Sequence, residues 1–136
     1  YLNEYLYSKS KGKVFDFAEN VNIEHIMPAS GKNIDSIRQD AGIDDKDDFN
    51  NIVNKLGNKI LLEDDINKSI GNEWFKTKKH TSIKNKSGYK DSQYDIALDL
   101  TKYPKDKWEK DDIITATEKA AKRIVKFIFS NGKLEN

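Results

Sequence analysis

The stretch Leu56-Gly57-Asn58-Lys59-Ile60-Leu61-Leu62, followed by Glu63-Asp64-Asp65, leaves the chain little conformational freedom. Gly and Asn in succession specify a turn. The apolar run behind them has the length of a buried strand. The three acids that follow suit the N-cap and first turn of a helix. Ile66, Ile70, Trp74 and Phe75 fall on one face of that helix. Upstream, Val21 and Ile23 alternate with Asn20, Asn22 and Glu24, the period of a half-buried strand. Pro28 and Ser30-Gly31-Lys32-Asn33 break that strand into a loop. The local order is therefore strand, loop, strand, helix.

Helices surround this unit. Leu2, Tyr5 and Leu6 share a face over residues 1–10, and Gly12 ends the helix. Val14, Phe15 and Phe17 begin a short extended stretch. Short helices are expected at Ile34–Arg38, ending by Gly42, and at Asp47–Val53. Tyr94, Ala97, Leu98 and Leu100 place another over roughly 91–101, stopped by Pro104. From Lys110 to Phe129, Ile113, Ala116, Ala120, Ile124, Phe127 and Ile128 recur at three- and four-residue steps, an amphipathic helix packing on the core. The expected class is α+β, a mostly helical domain around a small ββα core. Residues 1–136 suffice for one such domain but not for two. The chain opens at Tyr1, without Met and inside a helical pattern, as expected of the C-terminal fragment of a longer protein.

Net charge is +1, from 24 basic and 23 acidic residues, so global charge does not announce a nucleic-acid partner. The distribution is more telling. Residues 40–48 hold five Asp, whereas 76–90 hold six Lys, one His and no acid. Such a basic segment can neutralise phosphates, although a solvated Lys-rich face has the same composition. The absence of Cys excludes disulfides, thiolate zinc sites and Cys nucleophiles, and it suits a reducing cytoplasm. No apolar run approaches the ~20 residues that span a bilayer. Ser30-Gly31-Lys32 lacks the full phosphate-loop pattern, which argues against a nucleoside triphosphate site in this stretch.

The chemistry centres on Ile23-Glu24-His25-Ile26-Met27-Pro28. Metal-assisted hydrolysis of a phosphodiester needs a base for water and a hard cation to offset charge on the phosphate oxygens. A histidine titrating near neutrality, held at a strand end closed by proline, can be that base. Mg²⁺ accepts one or two protein oxygens and keeps several waters. A Glu-His pair is more often a surface pair than a site. The balance changes with Asn58 at the entrance to the second strand and Asn67 nine residues on, near the start of the helix. His, Asn and Asn on strand, strand and helix resemble the ββα-metal arrangement of HNH nucleases.

The set Ile23–Pro28, Leu56–Leu62, Asn67, Ile70-Gly71-Asn72, Phe75 and Lys78 resembles the C-terminal nuclease domain of GmrSD-type modification-dependent restriction enzymes, over roughly residues 20–128 with Trp108 included. The resemblance implies a His-Me finger DNA endonuclease that acts against modified or phage DNA. It also implies a divalent metal, Mg²⁺ with Mn²⁺ as a substitute, and a preceding NTPase or sensor domain in the parent protein. Residue by residue, it implies His25 as general base and Asn58 as the asparagine that orients the histidine loop. Asn67 would be the metal-proximal residue, Glu24 a second metal ligand and Lys78 a contact to phosphate; Lys76 and Lys79, from the basic segment itself, are expected to join Lys78 on the DNA backbone. One departure stands out: where the family carries I-x-x-R, this chain has Ile114-Thr115-Ala116-Thr117, and Arg123 follows later. That loss favours the alternative of a module that keeps the fold and binds DNA, or mediates assembly of the parent protein, without cutting. Trp74, Phe75, Trp108 and Phe127 are expected in the core.

Overall fold

The computed structural model describes residues 1–16, 20–80 and 87–130. Among these, seven α-helices surround one antiparallel pair of strands. The strands are β1 (Val21–His25) and β2 (Lys59–Glu63). Their register sets Ile23 against Leu61, Glu24 against Ile60 and His25 against Lys59. Helix α4 (Asp64–Ile70) leaves β2 without an intervening loop, with Asp64 and Asp65 in its first turn. The Asn22 amide of β1 donates to the Asp64 carboxylate, which ties α4 back onto the first strand. The expected strand, loop, strand, helix unit and the α+β class are both present.

The remaining helices are α1 (Leu2–Ser10), α2 (Ile34–Asp40), α3 (Lys46–Val53), α5 (Phe75–Lys79), α6 (Asp95–Leu100) and α7 (Lys110–Phe129). The Asp45 side chain caps α3 by accepting the Asp47 N–H at 2.8 Å. Ile26, Phe49, Ile52, Leu62, Ile66, Ile70, Phe75 and Ile113 meet in one core. Rings of Phe75, Tyr103 and Trp108 extend it, their centroids 5.0–6.0 Å apart.

The deepest junction lies where the 3₁₀ turn Leu56–Asn58 meets α7. The Gly57 N–H donates to Thr117 Oγ1 at 2.9 Å. A Cβ at position 57 would stand 2.4 Å from both the Ile113 carbonyl oxygen and the Thr117 nitrogen. Only glycine permits that approach, and Thr117 is built into the contact.

Four expectations change. The expected alternation of β1 does not hold: Ile23 is 62% exposed and Glu24 only 4%, because Glu24 meets charged and polar partners inside. The apolar face Ile66, Ile70, Trp74 and Phe75 belongs to two helices, since Gly71 at φ 52° ends α4 and Phe75 starts α5. The helix expected near 91–101 is shorter, running from Asp95 to Leu100 behind a 3₁₀ turn at Tyr89–Asp91. Helix α7 has the expected bounds, yet its last turns leave the core, with Ile128 and Phe129 exposed. Phe17 lies outside the described residues, as do Lys84 and Lys86 of the basic segment.

Candidate active site

His25 closes β1. The loop behind it is fixed chiefly by Asn58, a fully buried residue. Asn58 Oδ1 accepts the Met27 N–H at 2.8 Å, while Nδ2 donates to the carbonyls of Met27 at 3.0 Å and Val53 at 2.9 Å. The Asn58 carbonyl accepts the Ile26 N–H at 2.9 Å. One asparagine thus satisfies both polar backbone groups of Met27 and holds the segment behind His25 against α3. A neutral amide suits this position because it is donor and acceptor at once, whereas a carboxylate could only accept.

A second anchor approaches from the other side. Lys78, without measurable exposure, points its ammonium at the carbonyls of His25 (2.8 Å) and Ile26 (3.2 Å) and at Glu24 Oε2 (3.0 Å). The Tyr89 hydroxyl, also fully buried, donates to the same carboxylate oxygen at 3.0 Å. Burial pushes the Glu24 carboxyl up, and the Lys78 charge with hydrogen bonds from Lys78, Tyr89 and the His25 backbone opposes it. Burial pushes Lys78 down, against the Glu24 charge. At this separation the two titrate as one unit. A buried pair of this kind adds little net stability, but losing one partner leaves the other charge stranded.

His25 is half-buried, and its Nε2 is shielded from solvent with no hydrogen-bond partner among the described residues. Its pKa is held below the usual histidine value by burial first and then by the Lys59 charge, while a hydrogen bond with the Asn54 side chain pulls the other way. Burial thus favours the neutral ring, which has a nitrogen able to accept a proton. Cross-strand partners share a face, so Lys59 stands beside His25 on the outer side of the sheet.

The expected residues divide into groups. His25 and Asn58 come together as the sequence suggests. Asn67 sits half-buried in α4, and its side chain has no hydrogen bond among the described residues, to Glu24 and His25 included. Glu24 faces inward to Lys78 and Tyr89. Lys78 and Lys79 do not form an outward basic face. Lys79 Nζ donates to the carbonyls of Tyr103 (3.0 Å) and Lys105 (2.7 Å), lies 3.3 Å from Asp106 and packs on the Phe75 ring. Both ammonium groups were drawn inward by carbonyls that only tertiary folding brings near. Of the three expected phosphate contacts, Lys76 alone is exposed. Among the described residues no three His, Asp or Glu side chains cluster as a metal site would require of them alone.

Sequence reading missed Tyr89, Lys59 and Asn54. Tyr89 is an aromatic inside a lysine-rich run, which signals burial. Lys59 follows the turn asparagine directly, and its place beside His25 emerges only from the strand register.

No helix among the described residues is long and apolar enough to cross a membrane. The family profile described as GmrSD restriction endonucleases, C-terminal domain, matches residues 1–123, and the chain belongs to that family. No curated protein matches the chain, and no solved structure does.

Proposed function

We propose that this member of the GmrSD C-terminal-domain family is the cutting module of a restriction enzyme, an HNH-type DNA endonuclease with His25 as general base. The observation that carries the reading is the histidine itself. Burial favours its neutral form, its Nε2 is unpartnered among the described residues, and the loop behind it is held by Asn58 and Lys78. In the proposed reaction Nε2, shielded in the free protein, is uncovered as DNA docks and takes a proton from water, and the hydroxide attacks phosphorus in line. The P–O3′ bond breaks, the leaving 3′ oxygen takes a proton from a second water, and His25 returns its own proton to solvent.

A divalent cation, Mg²⁺ or Mn²⁺, would lower the charge on the phosphate oxygens when bound. The amide oxygen of Asn67, free of hydrogen bonds among the described residues, suits a hard ion that keeps most of its waters. Glu24 fits less well in this arrangement, because Lys78 and Tyr89 already occupy its carboxylate. Its proposed task is to anchor Lys78, which in turn holds the His25 and Ile26 carbonyls.

The proposed substrate is modified or foreign DNA in the cytoplasm, delivered by a preceding sensor or NTPase domain of the parent protein. The enclosed Glu24 also suits a second reading, a DNA-binding or assembly module that has lost cutting. Incubation of supercoiled plasmid with the protein in Mg²⁺, Mn²⁺ or EDTA separates the two. Nicked or linear product in either metal, and none in EDTA, is expected. Intact plasmid in both metals, with DNA binding retained, would replace the first reading with the second.

A further inference from the structure

A groove of about 230 Å³ opens on the side of the sheet that carries Lys59. Its floor includes Ile26, the residue after His25, and Gly57 at the turn, and α7 forms one wall. Three cations line it: Lys59, Lys119 and Arg123. Lys59 and Lys119 have no ion-pair or hydrogen-bond partner among the described residues. Arg123 spends Nε and Nη2 on Asn3 Oδ1, at 3.2 and 3.1 Å, and its guanidinium lies over the Tyr7 ring. A guanidinium has five N–H donors, so donors remain for a ligand.

Two carboxylates, Asp99 and Asp112, reach the same groove, and both are already engaged. Lys11 and the Tyr7 hydroxyl hold Asp99, while Lys105 and the Tyr103 hydroxyl hold Asp112. Each carboxylate is thus matched by a cation of its own, which leaves the charge of Lys59 and Lys119 uncompensated, while Arg123 also feels the buried Glu4 carboxylate. A water-accessible recess with surplus positive charge focuses anions. The inward turn of Lys78 and Lys79 removes the other candidates in α5 except Lys76.

We propose that this groove is the track for the DNA phosphodiester backbone flanking the scissile bond, with Lys59 contacting the phosphate nearest His25 and Lys119 and Arg123 the one beyond. The assignment rests on the nuclease reading of His25. Register alone places Lys59 beside the base, and the groove continues from that point along α7.

The test is binding of a short fluorescein-labelled DNA duplex, read by anisotropy in EDTA over a series of salt concentrations, so that no cutting intervenes. Each neutralised phosphate contact contributes about 0.9 to the slope of log K against log salt. Lys59→Ala and Lys119→Ala should each weaken binding and lower the slope by about 1. The double variant should lower it by about 2, and Lys46→Ala, an exposed lysine of α3 outside the groove, should leave it unchanged. Circular dichroism verifies that the variants are folded, and Arg123 is left intact because it also joins α1 to α7. A double variant with the wild-type slope, or a wild type that does not bind DNA, overturns the proposal. Reduced binding in the groove variants beside a wild type that never cuts plasmid would leave the track standing and remove the base role of His25. Wild-type cutting with unaltered slopes would remove the track alone.

Discussion

Replacing Lys78 by Met keeps most of the buried stem and removes the ammonium. Three contacts vanish at once: the ion pair with Glu24 at 3.0 Å and the hydrogen bonds to the carbonyls of His25 and Ile26 at 2.8 and 3.2 Å. Glu24 is 4% exposed, so its charge has no water to turn to. Stranding one partner of a buried pair costs ~3–5 kcal/mol. A carbonyl left without a donor adds ~1–3 kcal/mol, although these losses overlap. About 4 kcal/mol is expected, a large share of the ~5–15 kcal/mol that stabilises a domain. Urea unfolding followed by the fluorescence of Trp74 and Trp108 measures it. Adding Glu24→Gln removes the stranded charge and should return about 2 kcal/mol, so the double-mutant cycle must show strong coupling. The refolded double variant should still cut plasmid far more slowly than wild type, because the His25 carbonyl has lost its anchor. A single variant within 1 kcal/mol of wild type, or a cycle with no coupling, would refute the reasoning.

Three other perturbations probe the frame and its pH dependence. Gly57→Ala would drive a Cβ to 2.4 Å from backbone atoms of α7, and a loss of about 3 kcal/mol in urea unfolding is expected; a loss under 0.5 kcal/mol would mean the turn and helix are not in contact. Asn58→Ala orphans the Met27 N–H and the carbonyls of Met27 and Val53, for a loss of about 3 kcal/mol and slower cutting; Asn58→Asp should rescue neither, since an anion cannot donate to the two carbonyls. Glu4, 2% exposed, has its pKa raised from 4.5 to about 7, chiefly by burial. A raised acid pKa means the folded state holds the proton more tightly, so the stabilisation is complete below pH 4.5 and is lost as pH rises through 7. That difference amounts to about 3 kcal/mol. Glu4→Gln should therefore flatten the fall in the urea midpoint between pH 5 and pH 8, and a variant with an unchanged fall would exclude Glu4 as its source.

What the sequence made legible was local. The turn at Leu56–Asn58, the strand behind it and the helix start at Asp64 follow from adjacent residues, and the structure has all three. The bounds of α7 follow equally from one unbroken period. Asn58 was readable because an asparagine in a tight turn bonds to backbone whatever surrounds it. Glu24 was not. Alternation along β1 turned Val21 and Ile23 inward, but a lysine and a tyrosine more than fifty residues away drew Glu24 in and left Ile23 exposed. Lys78 and Lys79 of the basic run turned inward for the same kind of reason, since a charge count cannot distinguish ammonium groups in water from those taken up by buried carbonyls. The apolar period through Ile70 and Trp74 continued across Gly71, so pattern alone missed the break that its positive φ imposes.

The central claim is the role of His25, and the most direct measurement is single-turnover cleavage of supercoiled plasmid by wild type and His25→Ala in Mg²⁺ and Mn²⁺, with circular dichroism to verify the fold. Loss of a positioned general base typically lowers a rate by ~10²–10⁴. The account predicts a fall of at least that lower order in both metals, with the far-ultraviolet spectrum and urea midpoint of the variant unchanged. Cleavage by His25→Ala at the wild-type rate would contradict it.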